Sequence, residues 1–417
     1  MQAIYVPWLH MHQPLVWYRN RLISNLEMML LSNDTQASWN GKLIARAYKN
    51  PAKYVNDLCK DGLKPKMMLD FSGILLEGLK DLTRTFKKTK INGEKIGDII
   101  KLYNEVLQKY PSNIEFTGTA YSHCYFPVTP EEDWRWQIEE WINVFKKLFG
   151  NKASNNVKGF WLPEMGIPGD KNKLAKLIKI LKDFGYEWLI LPLDSIEGEK
   201  NMSYEERIKL TSQPHILSVK NQRITTIIKV KYDFIDQQAG CDADGVYEKC
   251  LEAGRIFKKK RPVLVVPASD GENGNVMMNE FFPNTFLRFF KEKIDNKVSS
   301  LTISQFLDKY YPEEKIKSKI KIKESGSSWV GGHESWTKGT RRSLVNKKNL
   351  DMSKKFHKIK PEKLKKNQMT VYNFAKKMLL ILETSCYTYW DTSFWFMQWE
   401  RLVKYYKKFV INFINNA

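Results

Sequence analysis

The stretch 157-VKGFWLPEMGIPGDKNKLAKLIKILKDFGYEWLILPL-193 holds one complete structural repeat. Its first part, 157-VKGFWLP-163, is short, apolar and aromatic and reads as a buried strand. The middle part, 171-KNKLAKLIKILKDFG-185, spaces its leucines and isoleucines by three and four residues, so it reads as an amphipathic helix. The last part, 187-EWLILPL-193, is a second short apolar run. A helix between two such strands is the crossover that parallel strands require. The same alternation continues outward in both directions. Strands are expected at 3-AIYVPWLH-10, 66-KMMLDFS-72, 113-NIEFTGT-119, 224-ITTIIKV-230 and 262-PVLVVPAS-269, with helices at 74–86, 95–110 and 133–149. Seven strands in this order point to an α/β fold, an incomplete or distorted (β/α) barrel, with a doubly wound open sheet as the alternative.

Beyond about residue 360 the pattern is helical, as in 371-VYNFAKKMLLILE-383 and 400-ERLVKYYKKFVINFI-414. A lysine-rich stretch, 313-EEKIKSKIKIKE-324, and a Gly/Ser segment, 325-SGSSWVGGHESWTKG-339, separate the two regions. The expected organisation is therefore a barrel over 1–310 and a helical region over 311–417.

Composition narrows the function. Core packing accounts for most of the 13 Trp, 19 Tyr and 22 Phe individually, but aromatic faces also stack on the apolar faces of sugars, so the enrichment suits a saccharide cleft. The net charge of +22 raises nucleic-acid binding. Its lysines are dispersed, however, in stretches such as 258-KKKR-261 and 353-SKKFHKIKPEKLKK-366, with no zinc-finger spacing and no aromatic RNA motif. A solvated lysine surface is the expected reading. Five cysteines (Cys59, Cys124, Cys241, Cys250 and Cys386) include no CxxC pair and suit a reducing cytoplasm. The first residues lack the pattern of a signal peptide, and no apolar run is long enough to span a membrane, so neither export nor a membrane partner is expected.

Polar residues collect at the ends of the expected strands: His10 and His12, Asp70, Glu115 with His123, Glu164, and Asp270 with Glu272. In a (β/α) barrel such positions emerge on one face, where active sites form. A buried carboxylate is costly unless paired or used, so several acids on one rim point to a site. For Asp270 the competing reading is a turn, since 269-SDGENG-274 is turn chemistry. Glycoside cleavage needs two facing carboxyl groups, one to protonate the leaving oxygen and one to attack or to activate water. Glu164 and Asp270, at the ends of two different strands, meet that requirement.

The ordered set 10-HMHQP-14, 70-DFSGILLEGL-79, 114-IEFTGTAYSHCYFP-127, 160-FWLPE-164, 269-SDGENG-274 and 384-TSCYTYWDTSFW-395 resembles glycoside hydrolase family 57. Its members include α-amylases, 4-α-glucanotransferases, amylopullulanases and branching enzymes. The resemblance implies a (β/α)7 barrel, a helical region closing over the cleft, and a retaining mechanism on α-glucans or malto-oligosaccharides without a cofactor. It implies Glu164 as nucleophile and Asp270 as acid/base. It further implies substrate contacts from His10, His12, Glu115, His123, Trp161, Trp329, Trp390 and Asp391. The YSH context of His123 resembles the amylase-like branch, which makes an α-1,4-glucan hydrolase the leading expectation and a glucanotransferase or branching enzyme the alternative.

A rival of another class rests on His10-Met11-His12. Zinc-dependent deacetylases and amidohydrolases also begin with an H-x-H pair, to which His123 and Asp270 could add ligands. The fuller motif set favours the glycosidase, with no metal. Trp134, Trp136 and Trp141 on one helical segment read as packing, and Cys124 reads as a small buried residue.

Overall fold

Proline has no amide hydrogen to give a sheet, and two prolines divide the strands at the barrel seam. In the computed structural model, which describes residues 3–231, 242–258 and 261–414, Pro7 splits strand β1 into Ala3–Tyr5 and Trp8–Met11. Pro267 splits β7 into Val263–Val265 and Ala268–Asp270. Between them lie β2 (Met67–Phe71), β3 (Ile114–Phe116), β4 (Gly159–Trp161), β5 (Trp188–Pro192) and β6 (Gln222–Lys229). Parallel ladders join β7 to β1, β1 to β2, β2 to β3, β4 to β5 and β5 to β6. Two thinner junctions complete the ring. Gly118 bridges Phe160 between β3 and β4, and the Val230 amide donates to the Val266 carbonyl at 3.1 Å between β6 and β7. The result is a distorted (β/α)7 barrel, thin at these two junctions, as the strand pattern led one to expect. Gly159 permits the β4–β5 approach: a Cβ there would lie 2.1 Å from the Trp188 ring.

The barrel interior holds its own apolar cluster, including Ile4, Trp8, Met68, Trp188, Ile190 and Leu264. Helix α1 (Ile303–Tyr310) plugs its N-terminal end with Ile303, Phe306 and Leu307. A second, larger cluster lies outside the strands, under the surrounding helices, and extends without a break into the C-terminal helices α2 (Thr340–Phe356), α3 (Lys366–Leu382) and α4 (Ser393–Ile414). Asn349 of α2 ties them together, donating to the Leu382 carbonyl and accepting from Trp399 Nε1.

Several short strands have no counterpart in the expected set, among them Val298–Ser300, parallel to the first part of β1, and the hairpin Leu15–Tyr18 with Arg21–Ser24. His215–Val219 pairs antiparallel with β6 through a tight turn at Lys220 (φ 52°), and Lys319–Ile320 pairs beside it. The tryptophans at 134, 136 and 141 pack as read: Trp134 and Trp141 are buried, and Trp136 stacks on His357 at 4.0 Å. Cys59, Cys124 and Cys386 are free thiols, while Cys241 and part of 258-KKKR-261 lie outside the described residues. Among the described residues no helix is long and apolar enough to cross a membrane.

Candidate active site

The C-terminal ends of the strands converge on a cleft of about 510 Å³, a size suited to a small ligand. β1 brings His10 to its rim, in register with Asp70 of β2. Asp70 is fully buried and accepts from Trp8 Nε1 at 2.8 Å and from His10 Nδ1. Burial alone would lower the His10 pKa, but the charge and hydrogen bond of Asp70 raise it to about 10. His10 is therefore an imidazolium at neutral pH.

Two residues reach the cleft through left-handed backbone, a conformation that costs a residue with a side chain on the order of 1 kcal/mol or more. His123 (φ 61°) follows β3 and lays its ring against His12, with centroids 4.1 Å apart, and against His10 at 4.8 Å. Glu164 (φ 57°) follows β4 in the short turn Pro163–Met165. Its conformation is held from outside the barrel. The segment 325–329 runs alongside, where Ser327 bridges Ile167 and the Trp329 amide donates to the Glu164 carbonyl at 3.0 Å.

The Glu164 carboxylate is gripped at both oxygens. Ser385 Oγ donates to Oε1 at 2.8 Å and Trp329 Nε1 donates to Oε2 at 2.8 Å. Burial pushes its pKa up. The Ser385 bond, the His10 charge and the Trp329 bond act in the opposite direction, favouring the anion. Asp270 ends β7 and is exposed to the cleft. Gly271 follows it close against β1: its amide donates to the His10 carbonyl at 2.8 Å, and a Cβ would lie 3.0 Å from Leu9 Cβ. The Asp-Gly turn and the site are thus the same feature. Glu272 accepts from the His12 amide at 2.6 Å, and burial with Asp270 beside it raises its carboxyl to about 8.

Trp161 stacks on His10, with centroids 5.3 Å apart and planes 10° from parallel. Trp329 and Trp390 form further walls, and both are substantially exposed. His10, His12, His123, Trp161, Glu164, Asp270, Trp329 and Trp390 accordingly all line one cleft.

Glu115 and Asp391 do not line it. Glu115 points to the plug of the barrel, where it accepts from the Ser304 amide at 3.1 Å and the Ser304 hydroxyl at 2.7 Å at the start of α1. Asp391 turns to Arg342, 3.3 Å away. Several participants escaped the sequence reading: Ser385, Tyr389 and Trp395 from the C-terminal region, and Asp70 and Glu272, visible as strand-end acids but given no role.

The imidazoles are poorly disposed to share a metal ion. His10 Nδ1 meets Asp70, His10 and His123 face one another through Nε2 at 2.9 Å, His123 Nδ1 meets Ser385 Oγ at 2.9 Å and His12 Nδ1 meets Ser72 Oγ at 2.8 Å, so among the described residues His12 Nε2 alone of these ring nitrogens has no protein partner. Among the described residues no group of three or more His, Cys, Asp or Glu is arranged to hold one.

Comparison with known proteins agrees with the geometry. No curated protein matches the chain. Solved structures share its fold at low identity. A branching enzyme from Thermococcus kodakaraensis, solved with glucose, aligns with TM-score 0.65 and 16% identity over 100% of this chain and 94% of its own. One from Pyrococcus horikoshii gives 0.64 and 15% over 99% and 88%, and an α-amylase from Thermotoga maritima gives 0.65 and 14% over 100% and 93%. The model of glycosyl hydrolase family 57 matches residues 6–320, three quarters of the chain, and the protein belongs to that family.

Proposed function

We propose that the protein is a retaining glycoside hydrolase acting on α-1,4-glucans, with Glu164 as nucleophile and Asp270 as acid/base. The observation that carries this reading is the treatment of the two carboxyl groups within one aromatic cleft. Glu164 is fixed by two donors in a strained backbone, while Asp270 stands exposed to the same space. Asp270 protonates the glycosidic oxygen as a Glu164 oxygen attacks the anomeric carbon, expelling the leaving chain and forming a glycosyl ester with inverted configuration. Asp270, now a carboxylate, takes a proton from water, whose attack breaks the ester and inverts the centre again.

The cleft also suits a polyhydroxylated ligand. His12 Nε2 and Trp161 Nε1 are buried polar atoms with no protein partner among the described residues, a condition that sugar hydroxyls relieve. His10, His12, His123, Trp161, Trp329 and Trp390 are assigned as substrate contacts. Glu115 and Asp391 are assigned as supports, of the plug and the cleft wall respectively. In this reading residues 311–417 close the cleft over substrate, supplying Trp329, Ser385 and Trp390. The free thiols fit a reducing cytoplasm. Product analysis on maltoheptaose tests the activity: shorter maltodextrins support hydrolysis, while longer or branched products move the assignment to transfer. A Glu164→Gln variant that is folded and active would refute the catalytic assignment.

A further inference from the structure

A hydrogen-bonded chain runs from the buried interior of the barrel to Glu164. Asp70 contacts His10 Nδ1, His10 Nε2 meets His123 Nε2 at 2.9 Å, and His123 Nδ1 meets Ser385 Oγ at 2.9 Å. Ser385 Oγ then donates to Glu164 Oε1 at 2.8 Å. Five residues from distant parts of the sequence form it, and Asp70, fully buried, is out of reach of any substrate.

Donors and acceptors can be assigned link by link. An ionised Glu164 only accepts, so the Ser385 hydroxyl hydrogen points toward it. The Ser385 oxygen must then accept from His123 Nδ1–H. At the far end an ionised Asp70 accepts from His10 Nδ1–H, and one further proton lies between the facing Nε2 atoms. The two rings together therefore hold one imidazolium. The acidic groups acting on His10 are Asp70, Asp270, Glu272 and Glu164, whereas His123 faces His12 and His10, with Glu164 Oε1 3.8 Å from its Nδ1. Direct contact with Asp70 places the charge on His10 and leaves His123 neutral, as the Nδ1–H tautomer.

We propose that Asp70 is a positioning residue for the reaction at Glu164: through His10 and His123 it fixes the tautomer that turns the Ser385 hydroxyl toward the nucleophile. Glu164 is thereby oriented, and the Ser385 bond and the His10 charge favour its anion against the burial that raises its pKa. The catalytic consequence rests on Glu164 as nucleophile; the protonation pattern does not. Burial and the neighbouring His12 and His10 hold the His123 pKa well below its usual value, in keeping with a neutral ring.

The test is nitrogen-15 NMR of histidine-labelled protein near pH 7, assigned by loss of signals in His10→Asn and His123→Asn, together with pH–rate profiles. His10 should carry protons on both nitrogens and His123 only on Nδ1. In Asp70→Asn the amide can keep both contacts, accepting from Trp8 and donating to His10 Nδ1, so the imidazolium, and with it the charge that favours the Glu164 anion, should vanish while His10 Nε2–H still donates to His123. The acid limb of kcat/KM should move up by about one pH unit, with about a tenfold loss below it and little change in KM. Ser385→Ala should move the limb in the same direction, and the double variant by less than the sum of the two. A neutral His10 in the unmodified protein would overturn the chain, even if Asp70→Asn failed to fold. So would a loss of activity in Asp70→Asn with an unmoved pH profile. Activity in folded Glu164→Gln would instead overturn the nucleophile assignment, and with it the role given to Asp70.

Discussion

Replacing Trp329 by Phe removes one atom that matters, the indole nitrogen that donates to Glu164 Oε2 at 2.8 Å, and keeps an aromatic ring beside Tyr389. A hydrogen bond to a charged acceptor contributes about 1.5–3 kcal/mol. Trp329 is 38% exposed, so water partly replaces the lost donor and a figure of about 1–1.5 kcal/mol is appropriate. At 1.36 kcal/mol per factor of ten, kcat/KM on maltoheptaose should fall about tenfold. Because the bond favours the carboxylate, its loss should also raise the Glu164 pKa, moving the acid limb of the profile toward higher pH. Trp329→Ala additionally removes the wall of the cleft and should raise KM further. The assay is initial-rate product analysis across pH 4–9, with thermal melting to confirm folding. A Trp329→Phe variant with unchanged kcat/KM and an unmoved acid limb would refute the role given to this hydrogen bond.

Glu164→Gln and Asp270→Asn should each reduce activity on soluble α-glucan by several orders of magnitude, with circular dichroism unchanged. Glu115→Ala should act on stability instead: it strands two Ser304 donors in the barrel plug, lowering stability by about 2–4 kcal/mol in denaturant titrations and leaving kcat/KM of the folded enzyme near normal. The Glu272 carboxyl is raised to about 8, above its unfolded value, so its contribution is intact at low pH and is lost as pH climbs from the mid-4s through 8. Melting temperatures of Glu272→Gln should accordingly differ less between pH 5 and pH 9 than those of the unmodified protein. Prolonged chelation with EDTA should leave the rate unchanged, since both ring nitrogens of His10 and of His123 are already engaged; loss restored by zinc would revive the deacetylase reading.

The barrel was legible because each of its seven strands is a short apolar run bounded by a helix or a turn. His215–Val219 escaped because it is the shorter arm of a hairpin with β6, and its apolar run is only Ile216-Leu217 before Ser218. Glu115 shows a different limit. Successive strand residues alternate sides, and the choice between cleft and plug depends on the register of β3 against β2, which pairs Glu115 with Met68. Ser385 had no signal of its own: a serine in a helical segment gains its role from Glu164 and His123, both more than two hundred residues away. Asp270 was readable as either turn or acid because it is both.

The stereochemistry of the first product tests the account most directly. Two inversions through an ester on Glu164 must release the α anomer, and this requires the two carboxyl groups to work at the short separation of about 5–5.5 Å typical of retaining enzymes. Proton NMR of maltoheptaose cleavage, recorded before mutarotation, should show the α-anomeric signal appearing first. First appearance of the β anomer would mean a single displacement by water, and Glu164 could not then be the nucleophile.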